Sequence, residues 1–182
     1  MGGTGVGAAE RGHKSETLPT VSERILRYGC AEHDRDRRTP RNTGDMAQSS
    51  ESPEFPASGT RCPCSSGLTF GECCGRWLLG GAAAPTAVQL MRSRYTAFAV
   101  GDADHLLATW HPSTAPASLE LDRTIRWMRL DVERTERGGP LDHAGVVEFT
   151  AHYRHDGERG AQHEVSRFVR EGGRWFYLGA LD

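Results

Sequence analysis

Four cysteines spaced C-P-C, eight residues, C-C (Cys62, Cys64, Cys73, Cys74) restrict this chain more than any other feature. Such thiols can be gathered only by a tight reversal of the intervening SSGLTFGE, where Gly67 and Gly71 supply bends and Phe70 can pack beneath the cluster. Four thiolates satisfy tetrahedral zinc completely and leave no position for water, so the site expected is structural. A disulfide between Cys73 and Cys74, or across Cys62-Pro63-Cys64, would be cramped against ordinary disulfide geometry. Four-cysteine iron–sulfur sites usually space their ligands more widely. The expectation is one structural Zn2+ on Cys62, Cys64, Cys73 and Cys74, in a knuckle spanning residues 60–79. The fifth cysteine, Cys30, lies in a polar stretch and reads as an exposed free thiol.

The remaining chain divides by hydropathy. Of 182 residues 37% are apolar and the mean hydropathy is -0.56, low for a chain globular throughout, and the deficit lies in residues 1–60. There, large apolar side chains are few, among them Val21, Ile25, Leu26, Tyr28 and Phe55. Residues 1–59 therefore read as a disordered tail, in which residues 21–28 could form a short helix too isolated to be stable. Met46 opens a second polar stretch leading into the cysteines and reads as an alternative start, with a disordered tail as the other reading. Residues 77–182 carry all four Trp and most of the Phe, Leu and Val, enough for one core, expected as a domain over residues 85–182.

Net charge of -2 argues against general attraction to nucleic acid, although Arg61 and Arg76 flank the cysteines. No apolar run approaches the roughly 20 residues needed to span a bilayer, and the N-terminus has no charged start followed by an apolar stretch. A cytoplasmic location is expected, where thiols stay reduced and favour metal over disulfides.

After a small-residue linker at 80–85, Thr86 can cap a helix to about Val100 with Gly101 as its stop. Val88, Met91, Tyr95 and Phe98 form its apolar stripe. Asp102 can cap a second helix through Leu106, Leu107 and Trp110, ending before Pro112. Strands follow. Met128, Leu130 and Val132 alternate with polar residues, as do Val147, Phe149, Ala151 and Tyr153. Val165, Phe168 and Val169 lie in a third strand, and Gly172-Gly173 turns into a last one. Helices followed by an antiparallel meander make an α+β class.

The segment CPCSSGLTFGECC resembles the SEC-C motif, the zinc-binding segment also found at the C-terminus of the SecA translocation ATPase, and LMRSRYTAFAVGDADHLLATWHP (residues 90–112) looks like the YchJ family of bacterial proteins. That resemblance, over roughly residues 60–180, implies a zinc motif ahead of a nuclear transport factor 2-like domain, a curved antiparallel sheet wrapped on N-terminal helices as a cone. Two departures stand out. Ser65 and Leu68-Thr69 replace the usual Gly and Lys, weakening any basic contact surface. Many relatives also end in a second motif, whereas this sequence stops just after its last expected strand, which puts a bridging role in doubt.

Within the domain, Arg94 falls in or beside the apolar stripe, and a buried arginine needs a carboxylate. Glu148 and Glu164 are the candidates, with a structural ion pair as the expected outcome, and Arg92 reads as solvated. Trp110 and His111 end the second helix, where His111 caps the C-terminus or serves as an acid or base. Glu164, Ser166 and Phe168 share a strand face that could bound a cavity with Tyr177 or Trp175. No nucleophile–base pair, phosphate loop or metal triad is visible in residues 85–182. The leading expectation is thus a non-catalytic adaptor, its zinc knuckle presenting a surface to a protein partner. The alternative is a small-molecule binder or enzyme using a cavity lined by Arg94, Trp110, His111, Glu164, Ser166 and Tyr177; weak nucleic-acid binding by the knuckle is a third reading.

Overall fold

The structure, a computed structural model, describes residues 52–181. The readings placed on residues 21–28, Cys30 and Met46 lie outside them. The described residues form α1 (Gly75–Leu78), α2 (Ala87–Val100) and α3 (Ala103–Ala108), then β1 (Arg126–Arg137), β2 (Ala144–His155), β3 (Glu158–Glu171) and β4 (Arg174–Ala180). The strands make one antiparallel sheet in the order β1-β2-β3-β4. This is the helix-then-meander α+β order that the sequence implies.

Local chemistry sets the boundaries. Thr86 is extended and its hydroxyl accepts the Gln89 N–H at 3.2 Å, opening α2. Gly101 closes it with φ of 78°, the left-handed conformation that costs glycine least. Asp102 accepts the His105 N–H at 2.9 Å and opens α3 one residue later. Thr109 then ends that helix by turning its hydroxyl back to the His105 carbonyl at 2.6 Å. Trp110, expected inside the helix, therefore lies beyond it. It forms a parallel bridge to Tyr177, with Tyr177 N–H donating to Thr109 O and His111 N–H to Tyr177 O.

Period-two alternation places Leu130, Val147, Phe149, Ala151, Phe168, Trp175 and Tyr177 on the buried side. The register of β1 slips between Trp127 and Arg129 and again between Val132 and Arg134. A bulge adds a residue to one strand and rotates what precedes it. Met128 accordingly stands half-exposed instead of sharing the inner face with Leu130.

The knuckle is docked on the domain. Cys62, Cys64, Phe70 and Cys74 belong to the same buried cluster as Leu90, Met91, Tyr95, Val147 and Phe149. Two polar contacts pin it to α2: Arg92 Nη1 donates to the Cys64 carbonyl at 2.9 Å, and Cys62 Sγ lies 3.9 Å from Thr96 Oγ1. Arg92 is thus half-buried and committed to the knuckle, where the sequence suggested a solvated residue.

Candidate metal centre and polar cavity

The cysteines are brought together by a short reversal. Cys62 N–H donates to Leu68 O and Phe70 N–H to Thr60 O, around an Arg61–Thr69 bridge. The turn needs left-handed backbone at Ser65 (φ 58°) and Gly67 (φ 86°). The chain then bends at Gly71, whose N–H donates to Ser58 O at 2.9 Å, and Cys73-Cys74 lead into α1.

All four sulfurs lie within 4.8 Å of one another. Cys64 Sγ is 3.5 Å from Cys73 Sγ, and Cys73 Sγ is 3.8 Å from Cys74 Sγ. A tetrahedral ion with metal–sulfur bonds of about 2.3 Å would set its ligand sulfurs about 3.8 Å apart, so the donor set fits a thiophilic tetrahedral cation. As thiols the four share protons. Hydrogen bonds from Cys62 and then Cys74 hold Cys64 far below the usual thiol range. Bonds to Cys62 and Cys64 push Cys74 up, and burial is the largest cause raising Cys73 to about 11. Ser66 Oγ, 3.2 Å from Cys73 Sγ, can donate to that sulfur as well. A divalent cation would replace the shared protons and neutralise the buried charge. Each cysteine in this set is a candidate ligand, and Ser66 hydrogen-bonds to one of them.

The polar feature of the domain lies on the other flank of α2. Met91, Arg94, Tyr95 and Phe98 follow helical spacing and line a cavity of about 50 Å³, closed by Trp110, Trp127, Phe149, Ala151, Gln162, Glu164 and Tyr177. Arg94 is only 3% exposed. Its Nη1 donates to Leu106 O at 2.7 Å and to Thr109 Oγ1 at 2.8 Å. The guanidinium sits 4.5 Å from the Tyr177 ring centroid and 5.1 Å from that of Trp110. Burial pulls its pKa down to about 10, against smaller upward influences from Tyr177 and Glu164. Two other lining residues carry buried polar atoms without a hydrogen-bond partner, Tyr95 Oη and Trp110 Nε1.

The expected ion pair is not formed: among the described residues no carboxylate oxygen lies within 4.0 Å of Arg94. Glu148 cannot reach it because alternation turns Val147 and Phe149 inward and Glu148 outward, where it meets Arg134 and His163. Glu164 does face the cavity, but its oxygens already accept from Ser166 Oγ (2.5 Å), Tyr177 Oη (2.9 Å) and Gln162 Nε2 (3.1 Å).

The other candidates divide. Trp110, Glu164 and Tyr177 line the cavity with Arg94. Ser166 is fully buried and orients Glu164 from behind. His111 is not part of the cavity. Because Trp110 pairs with β4 and points inward, the next residue points away, and the His111 ring bonds to Ser113 (2.6 Å) and approaches Glu171 (3.4 Å). Sequence reasoning missed Trp127, Gln162 and the lining role of Tyr95 and Phe149. Tyr95 and Phe149 fall on the apolar stripes by periodicity and Trp127 on the opposite parity from Leu130, and no sequence signal separates a core phenol from one lacking a partner. It also missed Ser93 and His105, which meet at 3.0 Å across the α2–α3 turn. Burial there pulls the His105 pKa down to about 4.

Comparison with known proteins agrees with these two parts. Residues 86–180 match the family model described as the YchJ middle NTF2-like domain, and residues 60–76 match the SEC-C motif. A UPF0225 protein of Chromobacterium violaceum is 51% identical over 124 residues, covering 66% of this chain and 91% of that protein. One from Corynebacterium glutamicum is 51% identical over 119 residues, covering 65% and 94%. The solution structure of a SEC-C motif containing protein from Rhodopseudomonas palustris superposes with a TM-score of 0.58 at 31% identity, over 66% of this chain and 96% of that one. A crystal structure of another SEC-C motif containing protein, from Psychrobacter arcticus, gives 0.52 at 25% identity, over 66% and 81%. With an NTF2-like domain behind a SEC-C motif and half of the aligned residues shared with such relatives, this chain belongs to the YchJ-like UPF0225 family.

Proposed function

We propose that the domain is a receptor for a small molecule held in the α2–sheet cavity, and that the knuckle, loaded with Zn2+, braces α2 from the opposite side. One observation carries this reading: Arg94 is buried beside a cavity without a carboxylate partner. A buried cation without a directly paired carboxylate is costly, and a fold that needed only a filled core would place an apolar residue there. The metal's part follows from the packing, since the thiolate cluster and the cavity share α2 and one core. A reduced thiol cluster suits the cytosol.

Two measurements test the proposal. Native mass spectrometry should find one Zn2+ per chain, lost when Cys62→Ser is combined with Cys64→Ser; retention would remove the metal assignment. A thermal-shift screen should find compounds that stabilise the wild type but not Gln162→Trp, which fills the cavity from a half-buried position. Hits that stabilise both proteins equally would place binding elsewhere.

An adaptor role is the second reading. It draws on Leu68 and Leu79, exposed apolar side chains at the turn of the knuckle and the end of α1. Leu68→Ser with Leu79→Ser should then abolish a metal-dependent cross-link to a partner; a cross-link unchanged in that variant would count against it.

A further inference from the structure

We infer that the ligand is a small monocarboxylate with an apolar body, its carboxylate seated on Arg94. The inference rests on the cavity being a ligand site and adds the ligand's chemistry. Arg94 commits only Nη1 to protein acceptors. Its Nε and Nη2 have no hydrogen-bond partner among the described residues, and together they form the edge of the guanidinium that matches a carboxylate in two parallel bonds. The Trp110 and Tyr177 rings against the guanidinium fix its plane, so the fork is held before the ligand arrives. Trp110 Nε1 and Tyr95 Oη are further buried donors without acceptors on lining residues. Burial drives the Tyr95 pKa up from the ordinary phenol range, which keeps the phenol protonated as a donor.

The remaining wall decides the rest of the molecule. Met91, Phe98, Trp127, Phe149 and Ala151 offer apolar surface, so the ligand body is hydrocarbon. Glu164 shares the cavity and opposes a multiply charged anion. Its charge is taken up by Ser166, Tyr177 and Gln162, which lets a single carboxylate enter beside it. A cavity that holds benzene measures about 150 Å³, whereas this one is about 50 Å³, sized for a chain of a few carbons.

Isothermal titration of the zinc-loaded full chain with butyrate, butyramide and inorganic phosphate tests this, using wild type, Arg94→Met, Arg94→Gln and Gln162→Trp. Butyrate should bind the wild type at least about tenfold more tightly than butyramide, the effect of charged hydrogen bonds. That preference should vanish in both Arg94 variants, and Gln162→Trp should block both ligands. Equal binding of butyrate and butyramide, blocked by Gln162→Trp, would overturn the carboxylate while leaving the cavity as a site. Phosphate binding more tightly than butyrate would overturn it in favour of another anion. Butyrate binding unaffected by Gln162→Trp would overturn both this inference and the cavity reading. Arg94→Gln keeps a polar side chain of similar length, so a folding defect confined to Arg94→Met does not obscure the result.

Discussion

Replacing Phe70 with alanine should destabilise the whole protein rather than the knuckle alone. Phe70 is fully buried and stacks on Phe55 at a centroid distance of 6.3 Å. It is closely surrounded: a Cβ added at Gly75 would sit 3.1 Å from its ring. A site so confined collapses little when emptied, so the cost belongs in the range of about 3–5 kcal/mol for Phe→Ala. For a unit of this size that lowers Tm by about 10–15 °C. Scanning calorimetry of the zinc-loaded protein would read it, with far-UV circular dichroism following the sheet. Because Phe70 and the inner sheet residues Val147 and Phe149 share one cluster, a single shifted transition is expected. A sheet transition within about 2 °C of wild type, accompanied by zinc release, would refute the shared core.

Three further outcomes follow from buried groups and one strained turn. Burial lowers the Arg94 pKa from its ordinary 12.5 to about 10, a charging cost of about 3 kcal/mol roughly offset by its bonds to Leu106 and Thr109; Arg94→Met should therefore leave the unliganded protein within about 1 kcal/mol of wild type by urea denaturation, and a loss of about 3 kcal/mol or more would make Arg94 a structural keystone. Burial depresses His105 from 6.5 to about 4, with Asp102 opposing and Arg94 and Arg174 reinforcing. The unfolded chain then takes up this proton first, so stability present above pH 6.5 declines towards pH 4 by about 3 kcal/mol, and His105→Gln should flatten that part of the profile in acid titrations of stability. Ser65 holds a left-handed φ of 58°, so Ser65→Gly should raise the urea midpoint by about 0.5–1 kcal/mol equivalent; a drop would mean its weak 3.5 Å approach to Pro63 O matters more than the strain.

What the chain announced and what it hid have different physical origins. Thr86, Gly101, Asp102 and the Asp156-Gly157 and Gly172-Gly173 turns act through the backbone next to them, so helix limits and hairpins were legible. The thiol cluster was legible for the same reason, its geometry being set by a short reversal. Bulges were not: Met128 obeys the alternation in sequence, and only the slip against β2 turns it outward. The cavity was half legible. A cation in an apolar stripe marked Arg94, but its assumed carboxylate partners failed because pairing is decided by strand facing (Glu148) and by prior hydrogen bonds (Glu164). His111 was lost to the bridge between Trp110 and Tyr177, a contact across nearly seventy residues that no local pattern encodes.

The most direct test is to follow the four tryptophan indole N–H resonances of the nitrogen-15-labelled zinc protein during titration with butyrate. Trp110 and Trp127 line the cavity, and the Trp110 indole lacks an acceptor. The Trp175 indole already donates to Pro85 O at 3.1 Å, and Trp77 lies with it at a separate cavity. A ligand on Arg94 should shift the Trp110 and Trp127 signals saturably, Trp110 most, leave Trp77 and Trp175 in place, and lose its effect in Arg94→Met. Stationary Trp110 and Trp127 signals, or all four drifting together without saturation, would contradict a ligand site at Arg94.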